Sequence, residues 1–331
     1  MKRVIIIGGG IAGMRSALRL AEAGLHPVLI ERDAELGGKL RNWHALFPDF
    51  TQAAGVLDEL RTAVARRGIE VHTGCTVRRF DARSAELADG SRLEGDAAIL
   101  ASGFTLFDAR IKEEYGYGLY EQVCTSADIE RMLNEGGLPA APRRIAFLHC
   151  VGSRDEKVCQ KHCSRVCCIT GVKQAMELKK RYPEAEIFNF YMDIRMFGPG
   201  YEELYREAQL HSNIHFIRGR ISEAAPTFDG RLQIKAEDTL TGRPLRMSVD
   251  LLVLLVGMRA NADNAALAAS AGLELAPSGF FAPRDPFLGN VRSAAEGIFL
   301  AGTATAPKTI GETLNEAIAA ADAAAEYLKT R

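Results

Sequence analysis

Three glycines near the start constrain this chain more than any other feature. Gly8-x-Gly10-x-x-Gly13 follows a short apolar run, Val4–Ile7, and opens a helical stretch from Met14 to Ala23 that Gly24 ends. Pro27–Glu31 reads as the next strand, so residues 4–31 spell a βαβ unit with a right-handed crossover. Each glycine has a physical task. Gly8 permits the tight turn, Gly10 lets the backbone approach a pyrophosphate, and Gly13 lets the helix pack closely on the strand. The start of that helix offers unpaired N–H groups and a partial positive charge to phosphates. Glu31 ends the second strand, eighteen residues after Gly13, where it can accept hydrogen bonds from a ribose. A glycine triplet alone is a weak signal. The strand before it, the helix after it and the acid beyond it make it a candidate dinucleotide loop.

The alternation continues along the chain. A helix is expected around Leu57–Arg67, then strands near Glu70–Val71 and Ala97–Ala101. Tyr115 to Pro142 holds a helix at Ser126–Leu133 and a Gly/Pro-rich linker, which marks a domain boundary. Beyond it come a strand at Arg144–His149, a helix at Gly171–Arg181, a strand at Glu186–Tyr191 and a helix near Glu202–Leu210. Strand Ile214–Arg218, a hairpin reaching about Val249, strand Leu251–Val256, strand Gly297–Ala301 and helix Glu312–Leu328 complete the pattern. This is an α/β pattern of doubly wound parallel sheets. The expected domains are 1–115 with 250–331 for the dinucleotide, and 116–249 as a second domain.

Bulk properties exclude other classes. The formal net charge is -1, which gives no general attraction to nucleic acid or anionic membrane. The longest apolar run, Leu251 to Met258, is strand-sized and far short of the roughly 20 residues of a membrane helix. The apolar stretch at the start is too short for a signal peptide, and glycines interrupt it. The expectation is a cytoplasmic protein without direct membrane insertion.

Seven cysteines are unevenly spread. Cys75 and Cys124 stand alone and read as structural. Cys150, Cys159, Cys163, Cys167 and Cys168 crowd into residues 150–168, among Arg154, Lys157, Lys161, His162 and Arg165. A disulfide scaffold would distribute its cysteines over a small secreted domain. Crowding in a long chain points to metal or redox chemistry. Four thiolates match the ligand count of an iron–sulfur cluster or of tetrahedral zinc, and two suffice for a redox dithiol.

Several motifs resemble known families. Arg32-Asp33-x-x-Leu36-Gly37-Gly38-Lys39 resembles the two-dinucleotide-binding flavoproteins, where such a Gly-Gly turn lies near the flavin. Ala101-Ser102-Gly103 resembles their second short motif. Gly297-Ile-Phe-Leu-Ala-Gly302-Thr303 resembles their C-terminal FAD motif, with Thr303 where that motif usually carries Asp. Thr309-Ile-Gly-Glu312 fits a capping box ahead of the last helix, whose positive end would face the flavin. The resemblance implies FAD, with candidate contacts at Gly8, Gly10, Ile11, Ala12, Gly13 and Glu31. It adds Arg32, Gly38, Lys39, Ala101, Ser102 and Gly103 from the middle of that domain. Gly302, Thr303, Lys308 and Thr309 join them from the C-terminal end.

A more specific resemblance rests on the second half. Cys150-Val-Gly-Ser-Arg-Asp, Cys163-Ser-Arg-Val-Cys167-Cys168 and Phe190-Tyr-Met-Asp-Ile-Arg195-x-Phe-Gly198-x-Gly200-Tyr-Glu-Glu look like the A subunit of heterodisulfide reductase. Tyr115-Gly-Tyr-Gly118 and Ala301-Gly-x-x-x-x-Pro307-Lys308 fit that family too. The resemblance implies a thioredoxin-reductase-like fold, FAD, and a [4Fe–4S] cluster on Cys150, Cys163, Cys167 and Cys168. Cys159 lies outside the family pattern. Phe47-Pro48-Asp49-Phe50 lacks the paired cysteines that follow Phe-Pro in the family. Because the chain starts at the first FAD strand, the expectation is a short form of that subunit. Such short forms occur in the heterodisulfide-reductase-like sulfur-oxidation complex and the quinone-interacting oxidoreductase of sulfate reducers. Electron bifurcation is not expected.

The resemblance further implies cysteine-rich and ferredoxin-like partner subunits, a lipoate-bearing protein in the sulfur-oxidation setting, and a homodimer. Where a second Gly-rich loop would follow Arg144–His149, the chain reads His149-Cys150-Val-Gly152-Ser. The cluster is therefore expected to replace the nicotinamide site. Two alternatives stay open from the residues themselves. One is a stand-alone NAD(P)H-dependent disulfide reductase with Cys163 and Cys167 as its dithiol. The other is a flavin-bearing scaffold with structural zinc. His149 reads as a packed core histidine, and Asp193 with Arg195 as an ion pair on one strand face.

Overall fold

The structure is a computed structural model that describes residues 1–331. The chain divides into two units. The first comprises residues 1–41, 53–105 and 259–331, and the second residues 42–52 and 106–258.

The first unit is built on a five-stranded parallel sheet. Its strand order is Ile298–Leu300, Ala97–Leu100, Arg3–Ile7, His26–Ile30, Glu70–His72. Ile5 stands opposite both Val28 and Ala98, so Arg3–Ile7 is the central strand. From Val4 to Ile7 its residues are apolar and buried, as a parallel strand covered on both faces requires. Ile5, Ile7, Ile30, Ala98, Leu100 and Leu300 share one core cluster. Helix Ile11–Glu22 follows the central strand after only Gly8, Gly9 and Gly10. The last helix, Ile310–Lys329, starts at Thr309 with the expected capping box. An antiparallel sheet of Val77–Phe80, Ser84–Leu87 and Arg92–Glu94 goes beyond the expected elements; its strands are too short to show a clear period, although Phe80, Ala85 and Leu87 join the core.

The second unit repeats the plan. Its five-stranded parallel sheet runs Ile214–Arg218, Glu186–Tyr191, Arg144–Val151, Leu251–Val256, Val123–Thr125. Helix Cys167–Arg181 packs on one face through Val172, Ala175 and Leu178, against Phe147, Ile187, Val253 and Leu255. An antiparallel sheet of Ile221–Pro226, Leu232–Asp238 and Arg243–Val249 covers the other face, with Leu232, Ile234 and Val249 against Leu148, Phe190, Leu252 and Leu254.

The unit boundaries differ from the expected domain limits, for physical reasons. Leu251–Val256 pairs in parallel with Arg144–Val151, so it belongs to the second sheet. Residues 42–52 belong to that unit because buried groups hold them. Lys173 Nζ donates to the Ala45 carbonyl at 2.9 Å and to Glu130 Oε1 at 2.5 Å, while the His44 N–H donates to Glu130 Oε2 at 2.8 Å. A buried lysine persists only with such partners.

Two element boundaries differ at the cysteine segment. The strand expected to stop at His149 runs on to Val151, and the helix expected from Gly171 begins a turn earlier, at Cys167.

Candidate redox site

The glycine loop has the geometry its sequence promises. Gly8 takes φ +110°, and a Cβ there would run into the Ala101 carbonyl oxygen. A Cβ on Gly13 would occupy the place of the Gly8 carbonyl oxygen, so helix and strand touch backbone to backbone. Gly10 is the N-cap of the helix and supplies no side-chain cap, which leaves the first-turn N–H groups for an anion. The Gly-Gly turn is stitched to this loop: the Gly37 N–H donates to the Gly9 carbonyl at 2.8 Å. A Cβ on Gly38 would stand 3.1 Å from Gly10 Cα.

Glu31 is buried. Its Oε2 accepts from the Gly9 N–H at 2.7 Å and its Oε1 from the Asp33 N–H at 2.9 Å. It braces the loop, and each oxygen keeps a further lone pair for a ribose hydroxyl. Ser102 Oγ is buried without a hydrogen-bond partner, and the Ser102 carbonyl accepts from Asn261 Nδ2 at 2.7 Å. Gly302 packs so tightly that a Cβ would lie 2.9 Å from Ala12 Cβ and from Thr313 Cγ2. Thr303 Oγ1 lies 3.9 Å from where a Gly103 Cβ would be, so the second and third motifs meet. An orphaned hydroxyl beside a floor of bare backbone fits a dinucleotide.

Other candidates in this unit are placed differently. Arg32 is exposed and pairs with Asp33 and Asp263. Lys39 is half-buried, and burial together with the Arg32 charge lowers its pKa. Lys308, which reads equally as a surface lysine, is sequestered: Nζ donates to Thr305 Oγ1 at 2.6 Å and lies 3.4 Å from Glu316 Oε2. Burial pushes the Glu316 carboxyl up despite that neighbour. Thr309 is spent on the helix cap, accepting from the Glu312 N–H at 3.2 Å.

The second unit presents the cysteines between the central strand and helix Cys167–Arg181. Cys150, Cys167 and Cys168 are buried, Cys163 is half-buried and Cys159 is exposed. The Cys167 thiol bonds both Cys150 and Cys168. Those bonds and burial push Cys167 up, whereas the bond from Cys167 holds Cys150 and Cys168 below the ordinary thiol range. Cys163 Sγ accepts from the Arg165 N–H at 3.3 Å. The sulfurs are drawn into hydrogen bonds with one another, and no group of three or more ligands stands in metal-holding geometry. Cys75, expected as a buried structural residue, is half-buried, while Cys124 is buried and its thiol is pushed up by desolvation.

The backbone of this segment is strained. Six non-glycine residues in the chain have positive φ, and four of them are Cys150, Arg154, Cys159 and Arg165. Such residues concentrate where a function dictates geometry. The register with strand Leu251–Val256 also slips between Leu148 and Val151, a bulge at His149-Cys150 of the kind that re-aims side chains. Asp193 does not pair with Arg195. The strand ends at Tyr191, and Asp193 reaches back to Arg154 Nη2 at 2.7 Å. Arg154 Nη1 is buried and unpaired.

A family model for pyridine nucleotide-disulphide oxidoreductases matches residues 2–324. The chain belongs to the pyridine nucleotide-disulphide oxidoreductase family. The chain is 32% identical to the iron-sulfur A subunit of the CoB--CoM heterodisulfide reductase of Methanocaldococcus jannaschii, over 97% of this chain and 64% of that protein. It is also 32% identical to the A subunit of the H(2)/formate:CoB-CoM heterodisulfide,ferredoxin reductase of Methanococcus maripaludis, over 98% of this chain and 64% of the relative. The chain therefore spans a little under two thirds of the length of these curated relatives. The resemblance drawn from the cysteine motif is borne out. Among solved structures, thioredoxin reductase of Lactococcus lactis matches with a TM-score of 0.70 at 17% identity, covering 100% of both chains. Thioredoxin reductase of T. acidophilum matches with a TM-score of 0.69 at 16% identity, covering 100% of this chain and 99% of that one. The fold is thioredoxin-reductase-like, and this member of the family is a flavoprotein oxidoreductase. No helix is long and apolar enough to cross a membrane.

Proposed function

We propose that this chain is the FAD and iron–sulfur electron-transfer subunit of a heterodisulfide-reductase-like complex, serving sulfur-compound metabolism. One observation carries the reading. In the second unit, the crossing from central strand to helix, where a nicotinamide-binding fold has a short glycine loop, is instead a fifteen-residue segment, 152–166. Buried thiols flank it. Cys150, Cys163, Cys167 and Cys168 would hold the cluster. The donor set fits in kind: four soft sulfurs, with the orphaned nitrogens His149 Nδ1 and Arg154 Nη1 buried in the same segment. When bound, FAD exchanges electrons in pairs and the cluster singly.

The chain's own residues bind and orient. The backbone of Gly8, Gly10, Ile11, Ala12 and Gly13 receives the pyrophosphate, and Glu31 takes the ribose while bracing the loop. Ala101, Ser102, Gly103, Gly302 and Thr303 form the floor for the rest of the cofactor, with Arg32, Gly38, Lys39, Lys308 and Thr309 at its margins. Disulfide, thiol or persulfide chemistry resides in cysteine-rich and ferredoxin-like partner subunits, with a lipoate-bearing protein as donor or carrier.

Anaerobic purification with flavin, iron and acid-labile sulfide quantitation tests this directly. The expected result is FAD with about four irons per chain, and a flavin that NADH and NADPH leave oxidised. FAD without iron or sulfide overturns the cluster. Zinc in its place makes the cysteines a structural site, and bleaching by NADPH restores the stand-alone reductase. Cys167→Ala should abolish the broad visible absorption and leave the flavin bands.

A further inference from the structure

His149 sits where an apolar residue would serve the core better. Strand Arg144–Val151 is otherwise buried and apolar from Ile145 to Val151, and His149 is only 2% exposed. Its neighbour on the adjacent strand is Asn189, 0% exposed, within a strand of Ile, Phe and Tyr. His149 Nε2 lies 2.9 Å from Asn189 Oδ1. His149 Nδ1 and Asn189 Nδ2 are both buried with no hydrogen-bond partner. Polar groups left unpaired side by side in a sheet core are costly. Leu or Phe would avoid that cost.

The ring's position says what it serves. The bulge at His149-Cys150 turns this side chain out of the regular register. It points under helix Cys167–Arg181, where Gly171 makes room: a Cβ on Gly171 would lie 3.1 Å from His149 Cε1 and 3.2 Å from Nε2. Cys168, three residues before Gly171, shares that face of the helix. Nε2 is engaged by Asn189, so Nδ1 is the nitrogen left for sulfur.

Nitrogen and oxygen of an amide are assigned from the hydrogen-bond network, not from shape. Turning the Asn189 amide over moves no atom position, yet it places the orphaned NH2 against Nε2. The ring's hydrogen then stands on Nδ1. We infer that His149 is a positioning residue for the cluster, donating Nδ1–H to the Cys168 sulfur with Asn189 fixing its tautomer. Hydrogen bonds to ligand sulfurs tune cluster potential, and the neighbour behind a ligand sets its orientation. One-electron reduction adds negative charge to the cluster and its sulfurs. An N–H aimed at Cys168 stabilises that charge and raises the potential.

This inference rests on the cluster reading above. The test uses the full chain, purified anaerobically, titrated with dithionite and followed by electron paramagnetic resonance, with iron, sulfide and flavin counted in every sample. His149→Phe fills the space without a donor, His149→Gln restores one, and Asn189→Leu removes only the tautomer control. The expected result is retained iron and a lower midpoint potential in His149→Phe, partial recovery in His149→Gln, and a smaller shift of the same sign in Asn189→Leu. A wild-type chain without iron and sulfide overturns the cluster reading and this inference with it. A wild-type chain with the cluster, and an unchanged midpoint in every variant that keeps iron, overturns this inference alone. If His149→Phe loses its iron, the midpoints of His149→Gln and Asn189→Leu decide.

Discussion

The two units pass from central strand to helix in opposite ways. In the first, residues 8–10 suffice, and a Cβ would clash at Gly8 and Gly13. Its function lies in what is missing: without side chains, the backbone can close on a phosphate. In the second, residues 152–166 intervene, and function lies in the side chains. That longer crossing needs its own fastening. Ser153 and Ser164 share a hydrogen bond at 2.5 Å, the Arg154 N–H donates to the His162 carbonyl at 3.0 Å, and Asp155 is buried against Lys112 and Arg220. One architecture thus carries a site specified by backbone and a site specified by sulfur. The first is broken by adding atoms, the second by removing them.

The largest break should come from Gly13→Val. The new side chain would displace the Gly8 carbonyl and pry helix Ile11–Glu22 off its strand. Flavin affinity is expected to fall at least tenfold, about 1.4 kcal/mol or more, measured by flavin retained per chain after desalting. Iron per chain should not change, because the thiols belong to the other unit. Parallel loss of iron would show that the two sites are not independently specified.

The asymmetry also explains what is legible in the sequence. The glycine loop and the Thr309 cap are local devices, each written within a few residues, and they fold as spelled; Glu31 reads only as a ribose acceptor, and its bond to the Gly9 N–H, 22 residues away, is not legible. The cysteine segment is legible as chemistry but not as shape. Cys167 and Cys168 read as part of the ligand segment rather than of the helix behind it, so the sequence places the helix start a turn late, at Gly171. His149 gives no sign of its role because the bulge beside it depends on the register with a strand more than a hundred residues away. Asp193 reads as paired with Arg195 because nothing local shows that the strand stops at Tyr191. Lys308 reads equally as a flavin contact and as a surface lysine because a capping box reports where a helix starts, not whether its first turn is covered.

Asp155 tests the fastening of the second crossing. Oδ2 receives Lys112 Nζ and Arg220 Nη2, each at 3.0 Å, and Oδ1 accepts from the Lys157 N–H at 3.1 Å. Burial raises this carboxyl, but Lys112 and Arg220 outweigh it and leave it below the ordinary range. Asp155→Ala leaves buried Lys112 with only Glu114, 2.8 Å away, and takes a carboxylate partner from Arg220, which should destabilise the second unit by about 2 kcal/mol. Urea denaturation followed by second-unit fluorescence or hydrogen exchange reads this. Iron content should fall while flavin content holds, the mirror image of Gly13→Val. Unchanged iron would mean that the thiols hold the segment without help.

The smallest effect comes from the rim of the first sheet, where charge is half-exposed rather than buried. Glu70 accepts from His26 Nε2 at 2.8 Å and His72 Nε2 at 2.9 Å and pairs with Arg3 at 3.1 Å. Burial raises this carboxyl, but the two histidine bonds and the Arg3 charge prevail and bring it down to about 2. Its unfolded value is about 4.3. The folded pKa is the lower one, so the contribution to stability is complete above about pH 4.3 and is lost as pH falls toward 2. Solvent screens a site this open, which keeps the whole effect below about 1 kcal/mol. Glu70→Gln should therefore lower the urea midpoint slightly at neutral pH, and the gap to wild type should narrow steadily from pH 4.5 downward. A gap that widens with acid would place the proton elsewhere, and a loss as large as that of Asp155→Ala would erase the distinction between a rim held by exposed charge and a crossing held by buried charge.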